Sequence, residues 1–247
     1  MRLPNTIAIG AGKAGSTSLH NYLHFHPQIF GSREKELMYF TSRFDRGEEW
    51  YQSNFPIEEG VKVYFETTPQ YSFRDEFPGV PERIFEYNPD MKLLYIVREP
   101  LSRIVSHFNH WTRTQPQKYT NLEASLGLPS HRKRFIDRTR YFYQLSAFLD
   151  VFPDNQIQVV FLEDLKADFA GTLDTIFEFL GVDCLGADIP QKVHNRGSRP
   201  EATSRKWSVG EISQERRQEI CATLSEDVQK LFSFCGKPAD YWGAAYT

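Results

Sequence analysis

Short apolar runs alternate with helical stretches along most of the chain. Thr6-Ile7-Ala8-Ile9 predicts a buried strand ending at Gly10. Ser16 to Phe25 predicts a helix with Leu19, Tyr22 and Leu23 on one face, stopped by Pro27. Val61 to Glu66 reads as a second strand and Leu93 to Val97 as a third, the most apolar. Pro100 then stands in the first turn of a helix from about Leu101 to Trp111. Tyr141 to Phe152 predicts another helix, Gln158 to Phe161 a fourth strand, and Phe169 to Leu180 a helix closed by Gly181. Ser213 to Phe232 is a late amphipathic helix. Strands alternating with helices predict an α/β fold, a single domain with a mostly parallel central sheet flanked by helices. Such sheets bind ligands beyond the carboxyl ends of their strands, which directs attention to residues 10–18, 66–71 and 98–106.

The chain has 247 residues, enough for one large domain or two small ones, and shows no repeat, low-complexity tract or obvious linker. Forty per cent hydrophobic and 25% charged residues exclude wholesale disorder. The net charge of −3 gives no global argument for binding nucleic acid, so an anion site must come from local clustering. No run is long and apolar enough to span a membrane, and the first residues lack the apolar core of a signal peptide. Cys184, Cys221 and Cys235 have no metal-ligand spacing and read as free thiols of a reducing compartment, so a cytoplasmic location is expected.

Gly10-Ala11-Gly12-Lys13-Ala14-Gly15-Ser16-Thr17-Ser18 joins the first strand to the first helix. Glycines let backbone N–H groups approach an anion, the helix start adds unpaired donors, and Lys13 adds a point charge. The spacing differs from G-x-x-x-x-G-K-[ST]: anchored on Lys13, that motif wants Gly at 7 and Ser or Thr at 14, where this chain has Ile7 and Ala14. The alternative is a glycine-rich turn that only packs. Arg98, at the end of the third strand, presents a fork suited to phosphate, and Ser106 follows about two helical turns later. Two such segments together imply a ligand with two separated anionic groups.

Together these residues resemble the sulfotransferases that use 3′-phosphoadenosine 5′-phosphosulfate (PAPS), in particular the heparan-sulfate-type branch and its bacterial relatives. Ile9 to Leu19 looks like that family's 5′-phosphosulfate loop, and Lys35-Glu36-Leu37-Met38-Tyr39-Phe40 like its segment bearing the acceptor-activating carboxylate. Glu66-Thr67-Thr68-Pro69-Gln70-Tyr71 is similar to its Glu-Lys-Thr-Pro-x-Tyr strand end. Leu94 to Pro100, with Arg103 and Ser106, is similar to its 3′-phosphate motif. Phe161 to Leu165 and Phe177 to Gly181 resemble its last strand and final core helix. The likeness runs in order from about residue 6 to about residue 181, leaving a C-terminal basic loop and helix over 190–247.

The resemblance implies a P-loop-like sulfotransferase fold spanning 1–247 and transfer of a sulfuryl group from PAPS to an acceptor hydroxyl or amine, with a carbohydrate the expected acceptor. The product would be adenosine 3′,5′-bisphosphate (PAP), and no metal is required. Glu36 would be the general base and Lys13 would stabilise charge on the leaving phosphate; Glu34 is the rival base. Ala14, Gly15, Ser16, Thr17 and Ser18 would hold the 5′-phosphate and sulfate beside Lys13, and Arg98 and Ser106 the 3′-phosphate. Lys35, Thr67, Tyr71 and His110 would face the acceptor, with His107 or His110 an alternative base. Two departures stand out. Thr67 occupies the usual lysine position, and residues 192–206 form a basic stretch in place of the disulfide-bearing loop of the animal enzymes. That stretch either closes over the nucleotide, with Arg196 and Lys206 in contact, or is a solvated basic loop.

Several residues keep blander readings. His20 and His24 have i, i+4 spacing but no third metal ligand, and His26 reads as a helix-end residue. The basic run from His131 to Arg134, with Arg138 and Arg140, is either a solvated helix face or an attractor for an anionic acceptor. The competing functions are a nucleotide-dependent phosphotransferase with a degenerate P-loop, and a non-catalytic nucleotide- or glycan-binding protein.

Overall fold

A computed structural model describes residues 3–191 and 205–247. In chain order the elements are β1 (Thr6–Gly10), α1 (Ser16–His24), β2 (Ile29–Gly31), α2 (Gly47–Gln52), β3 (Val63–Thr67) and α3 (Val80–Tyr87). Then come β4 (Lys92–Val97), α4 (Pro100–Thr114), α5 (Leu122–Gly127), α6 (Pro129–Phe135) and α7 (Tyr141–Leu149). β5 (Ile157–Phe161), α8 (Leu162–Ala167), α9 (Phe169–Leu180) and α10 (Gln214–Cys235) follow. Contacts divide the chain into two compact units, Met1–Val97 with Leu145–Asn195 and Arg98–Gln144 with Arg196–Thr247.

The first unit is an α/β layer built on a five-stranded sheet of order β2-β3-β1-β4-β5, parallel at every pairing. β1 and β3 are buried at all five positions, which explains their largely apolar character, with Glu66 and Thr67 the polar exceptions at the end of β3. Leu19 and Leu23 of α1 join Ala8, Val63 and Phe65 in the same core as Leu173, Ile176 and Phe177 of α9. α9 starts at Asp168, whose carboxylate caps Gly171 N–H, and ends at Gly181 with φ 79°. The Gly181 end matches the sequence signal. β2 is the strand that periodicity missed, because three residues are too few to show an alternation.

In the second unit the organising side chains are polar. Arg103 of α4 has no exposed surface; its Nη1 donates to the carbonyls of Arg134 (3.3 Å) and Phe135 (3.4 Å) and to Thr139 Oγ1 (3.2 Å). It therefore ties α4 to the end of α6. Asp227 of α10 accepts from the N–H groups of Phe142 (3.0 Å) and Tyr143 (2.8 Å), capping the start of α7 from another helix. Burial outweighs these bonds and pushes the Asp227 carboxyl up to about 6. α10 begins where Ser213 caps Arg216 N–H and stops at Gly236, φ 64°. α7 ends at Leu149, three residues short of the sequence expectation, ahead of Pro153. Among the described residues no helix is long and apolar enough to cross a membrane. The cysteines are unpaired: Cys184 exposed, Cys221 buried, Cys235 between.

Candidate active site

The glycine-rich turn leaves β1 at the carboxyl edge of the sheet, and Ala11 N–H bonds Ile96 of the neighbouring strand at 2.6 Å. Gly10 has no room for a side chain, since a Cβ would lie 2.4 Å from Ser72 Oγ and 2.8 Å from Tyr95. Lys13 adopts φ 70°, and Gly15, at φ 114°, precedes α1 without any side-chain cap. Residues 16–18 therefore keep their first-turn N–H groups clear of intrahelical bonds. Ser16 is buried, Thr17 exposed and Ser18 half-buried. Ala14 is fully buried and offers no hydroxyl where a magnesium-binding Ser or Thr would stand.

β3 lies beside β1, with Ala8 opposite Thr67 and Thr68 N–H bonded to the Ala8 carbonyl at 3.1 Å. The end of β3 carries the segment around Glu36. Glu36 N–H donates to the Thr67 carbonyl at 3.1 Å, Leu37 N–H to the Glu66 carboxylate, and Met38 N–H to Thr68 Oγ1 at 3.3 Å. Phe40 N–H reaches Tyr71 Oη at 3.4 Å. Glu36 and Met38 are held at φ 60° and 54°, conformations that cost non-glycine residues about 1–2 kcal/mol each. The Glu36 carboxylate is half-exposed and pairs with Lys35 at 2.8 Å. Exposure keeps such a pair weak, so the lysine can be displaced.

Glu66 is completely buried. It accepts from Tyr51 Oη (2.6 Å), Tyr71 Oη (2.8 Å) and Thr68 Oγ1 (2.7 Å) as well as from Leu37. Desolvation pushes its carboxyl up against these four donors, and holds both phenols far above their ordinary value. Sequence reasoning met Glu66 only as part of a matched segment. A charged residue inside the otherwise uncharged, fully buried strand VYFET was the available signal.

The side chains of Thr67 and Tyr71 correct the expectation that they face the acceptor. Thr67 has no exposed surface and its hydroxyl lies 3.0 Å from His20 Nδ1. Tyr71 is 1% exposed and turned to Glu66. His20 is itself buried, and desolvation, with Lys35 and His24 adding, pushes its imidazole down to about 3. It stacks on His24 with ring centroids 5.7 Å apart. Among the described residues no group of three or more His, Cys, Asp or Glu is placed to hold a metal ion. His26 bonds the Asp183 carbonyl and packs on Phe177.

The second unit holds the remaining candidates. Arg98 follows β4; its carbonyl accepts from Tyr141 Oη at 2.8 Å, while its buried Nε makes no hydrogen bond among the described residues. That orphaned donor fits the phosphate expected there. Glu99 caps α4 through Leu101 N–H (2.9 Å) and Ser102 N–H (2.7 Å), so anion recognition at this helix falls to side chains. Ser106 is half-buried on α4. Arg103, grouped with Arg98 by the resemblance, is instead a core anchor. His107 corrects the alternative base reading, because it is buried with Nε2 accepting from Trp111 Nε1 at 2.9 Å. His110 is half-exposed beside the Trp111 ring. The basic run is divided: His131 stacks on Tyr119 and Arg134 lies 4.0 Å over Trp111, whereas Arg132 and Lys133 are exposed. Lys206 is exposed; Arg196 lies outside the described residues.

The sulfotransferase domain model matches residues 3–219, and the chain belongs to that family, whose enzymes use PAPS as sulfuryl donor. The human heparan sulfate glucosamine 3-O-sulfotransferase 5 is 28% identical over 191 residues, covering 73% of this chain and 54% of the relative. The human 3-O-sulfotransferase 3B1 is 30% identical over 186 residues, covering 73% and 47%. The chain thus spans about half the length of these curated relatives. A sulfotransferase from Alicyclobacillus acidocaldarius shares the fold with TM-score 0.78 at 24% identity, covering 95% of this chain and 96% of its own. A mouse sulfotransferase solved with PAP superposes with TM-score 0.61 at 15% identity, covering 94% and 86%.

Proposed function

We propose that the chain, acting as one sulfotransferase domain, moves a sulfuryl group from PAPS to a hydroxyl or amine of a carbohydrate acceptor. One observation carries the reading. A cation and a carboxylate, Lys13 and Glu36, both sit at positive φ on segments attached to the ends of adjacent strands β1 and β3. Strained non-glycine backbone persists where the surrounding structure holds it for a purpose.

In the proposed reaction Glu36 takes the proton from the acceptor as the acceptor oxygen or nitrogen forms a bond to sulfur. The bond from sulfur to the bridging phosphate oxygen breaks, and PAP leaves with that electron pair. Lys13 and the N–H groups of residues 15–18 meet the charge growing on the 5′-phosphate, while the Ala14 N–H is taken by the Ala11 carbonyl at 3.2 Å. Arg98 and Ser106 take the 3′-phosphate. Lys35 serves as a counter-charge to Glu36 that an anionic acceptor displaces. A glycan acceptor is supported by the heparan sulfate relatives. His110, Arg196 and Lys206 are the further contacts of this reading. No nucleic acid or membrane span enters it, and free thiols favour a cytoplasmic setting.

Calorimetric titration with PAP in the absence of metal, beside magnesium-ATP, tests the donor site. Micromolar PAP binding is expected. Tight binding of magnesium-ATP alone would instead favour the phosphotransferase reading, against which Ala14 stands. Transfer of labelled sulfate from PAPS to heparan sulfate tests the acceptor class.

A further inference from the structure

We propose that Glu66 is the positioning residue for sulfuryl transfer, fixing the backbone that presents Glu36. This rests on the reading of Glu36 as general base. An ionised carboxylate without exposed surface is costly to bury, and a strand end that needed only packing would carry an apolar side chain. Here the charge does something that shape alone cannot. Three hydroxyls and a backbone N–H converge on Glu66, the surroundings of an ionised carboxylate, which only accepts hydrogen bonds. Thr68 and Tyr71 must therefore donate their hydroxyl protons to Glu66, at 2.7 and 2.8 Å. Their lone pairs are then left to accept the N–H groups of Met38 and Phe40. Leu37 N–H reaches the Glu66 carboxylate directly.

One buried charge thus sets the proton direction of two hydroxyls, and through them and its own oxygens holds three amides of the 37–40 segment. Glu36 N–H is fixed by the Thr67 carbonyl next in the same strand. The positive φ of Glu36 and Met38 is maintained by these anchors. A neutral glutamine keeps the size of Glu66 but brings an NH2 donor into a nest of donors. It turns a hydroxyl round and releases an amide.

The test compares wild type with Glu66→Gln, Glu36→Gln and the double variant. Amide hydrogen exchange, with no acceptor present, should show residues 36–40 exchanging at least about tenfold faster in Glu66→Gln. Turnover with PAPS and heparan sulfate should fall about 10–100-fold in kcat, as for a displaced catalytic group, with acceptor KM and PAP affinity within about twofold. The double variant should be no slower than Glu36→Gln, because positioning is irrelevant once the base is gone. Unchanged exchange in Glu66→Gln overturns the proposal. So does a PAP affinity that falls with kcat, or losses that multiply in the double variant. If Glu66→Gln does not fold, Thr68→Val, which removes the Met38 anchor and keeps the charge, is read against the same criteria. Full turnover by Glu36→Gln would sink the base reading alone. The exchange result still decides the anchoring, as it does if heparan sulfate is not an acceptor.

Discussion

The Thr67 hydroxyl meets Nδ1 of His20 inside the core, 3.0 Å away, while the Thr67 carbonyl receives the N–H of Glu36. The residue at the position where the resemblance implies a lysine therefore acts through its backbone on one side and through a buried histidine on the other. This relationship explains how the strand end can support Glu36 without adding a cation of its own. It also separates side chains that face the reaction from those that hold the frame.

Glu36→Gln removes the proton acceptor and keeps the side chain's size. The expected result is a loss of about 10²–10⁴ in kcat, the range for general-base catalysis. PAP affinity should stay within about twofold, since the proposed role of Glu36 is on the acceptor and not on the nucleotide. Steady-state kinetics beside PAP calorimetry check this. Equal losses in both would mean that Glu36 is structural.

Arg98→Ala removes a guanidinium whose buried Nε finds no hydrogen bond among the described residues. PAP binding should weaken by about 2–3 kcal/mol, the scale for a hydrogen bond to a charged group. Urea stability should hardly change. An unaltered PAP affinity takes Arg98 out of the site.

Much of this was legible in the chain. The parallel α/β order follows from largely apolar strands alternating with helices, and the Gly181 stop of α9 could be read from the chain. The glycine turn and the Arg98 position could be read because their chemistry is written in consecutive residues. What stayed hidden depends on which way a side chain turns. Thr67, Tyr71, Arg103 and His107 are polar types that a sequence places near a site, and each is buried here against a partner distant in sequence or one turn away. The nest around Glu66 joins the nearby residues 68 and 71 to residues 37 and 51, which no local spacing brings to them.

Arg103 differs from Arg98 in having no exposed surface and three partners on one nitrogen. Its guanidinium is enclosed and bonded to two carbonyls and a hydroxyl that close the α6 segment. Arg103→Ala should cost about 1–3 kcal/mol in urea denaturation, the scale for leaving buried neutral polar partners unmatched. Any PAP affinity measured below the unfolding transition should be near that of wild type. Normal stability with lost PAP binding would return Arg103 to the nucleotide site.

Two buried groups give stability opposite dependences on pH. His20 titrates at about 3 in the fold against 6.5 unfolded, because burial disfavours the imidazolium. Its contribution is complete above 6.5 and is lost as pH falls through 6.5 toward 3, since the unfolded chain then binds a proton that the folded chain refuses. Asp227 titrates at about 6 in the fold against 3.8 unfolded. Its contribution is complete below 3.8 and is lost as pH rises toward 6, where the unfolded chain ionises first. Urea denaturation of wild type, His20→Gln and Asp227→Asn at several pH values between 4 and 7 separates them. Wild type minus His20→Gln should climb with pH, and wild type minus Asp227→Asn should descend, each by at most about 1.4 kcal/mol per pH unit. A flat difference for His20→Gln would mean that the imidazole is reached by water, and the Thr67 bond with it. A rising difference for Asp227→Asn would mean that the amide bonds to Phe142 and Tyr143 outweigh burial, making the ionised cap of α7 the stable form.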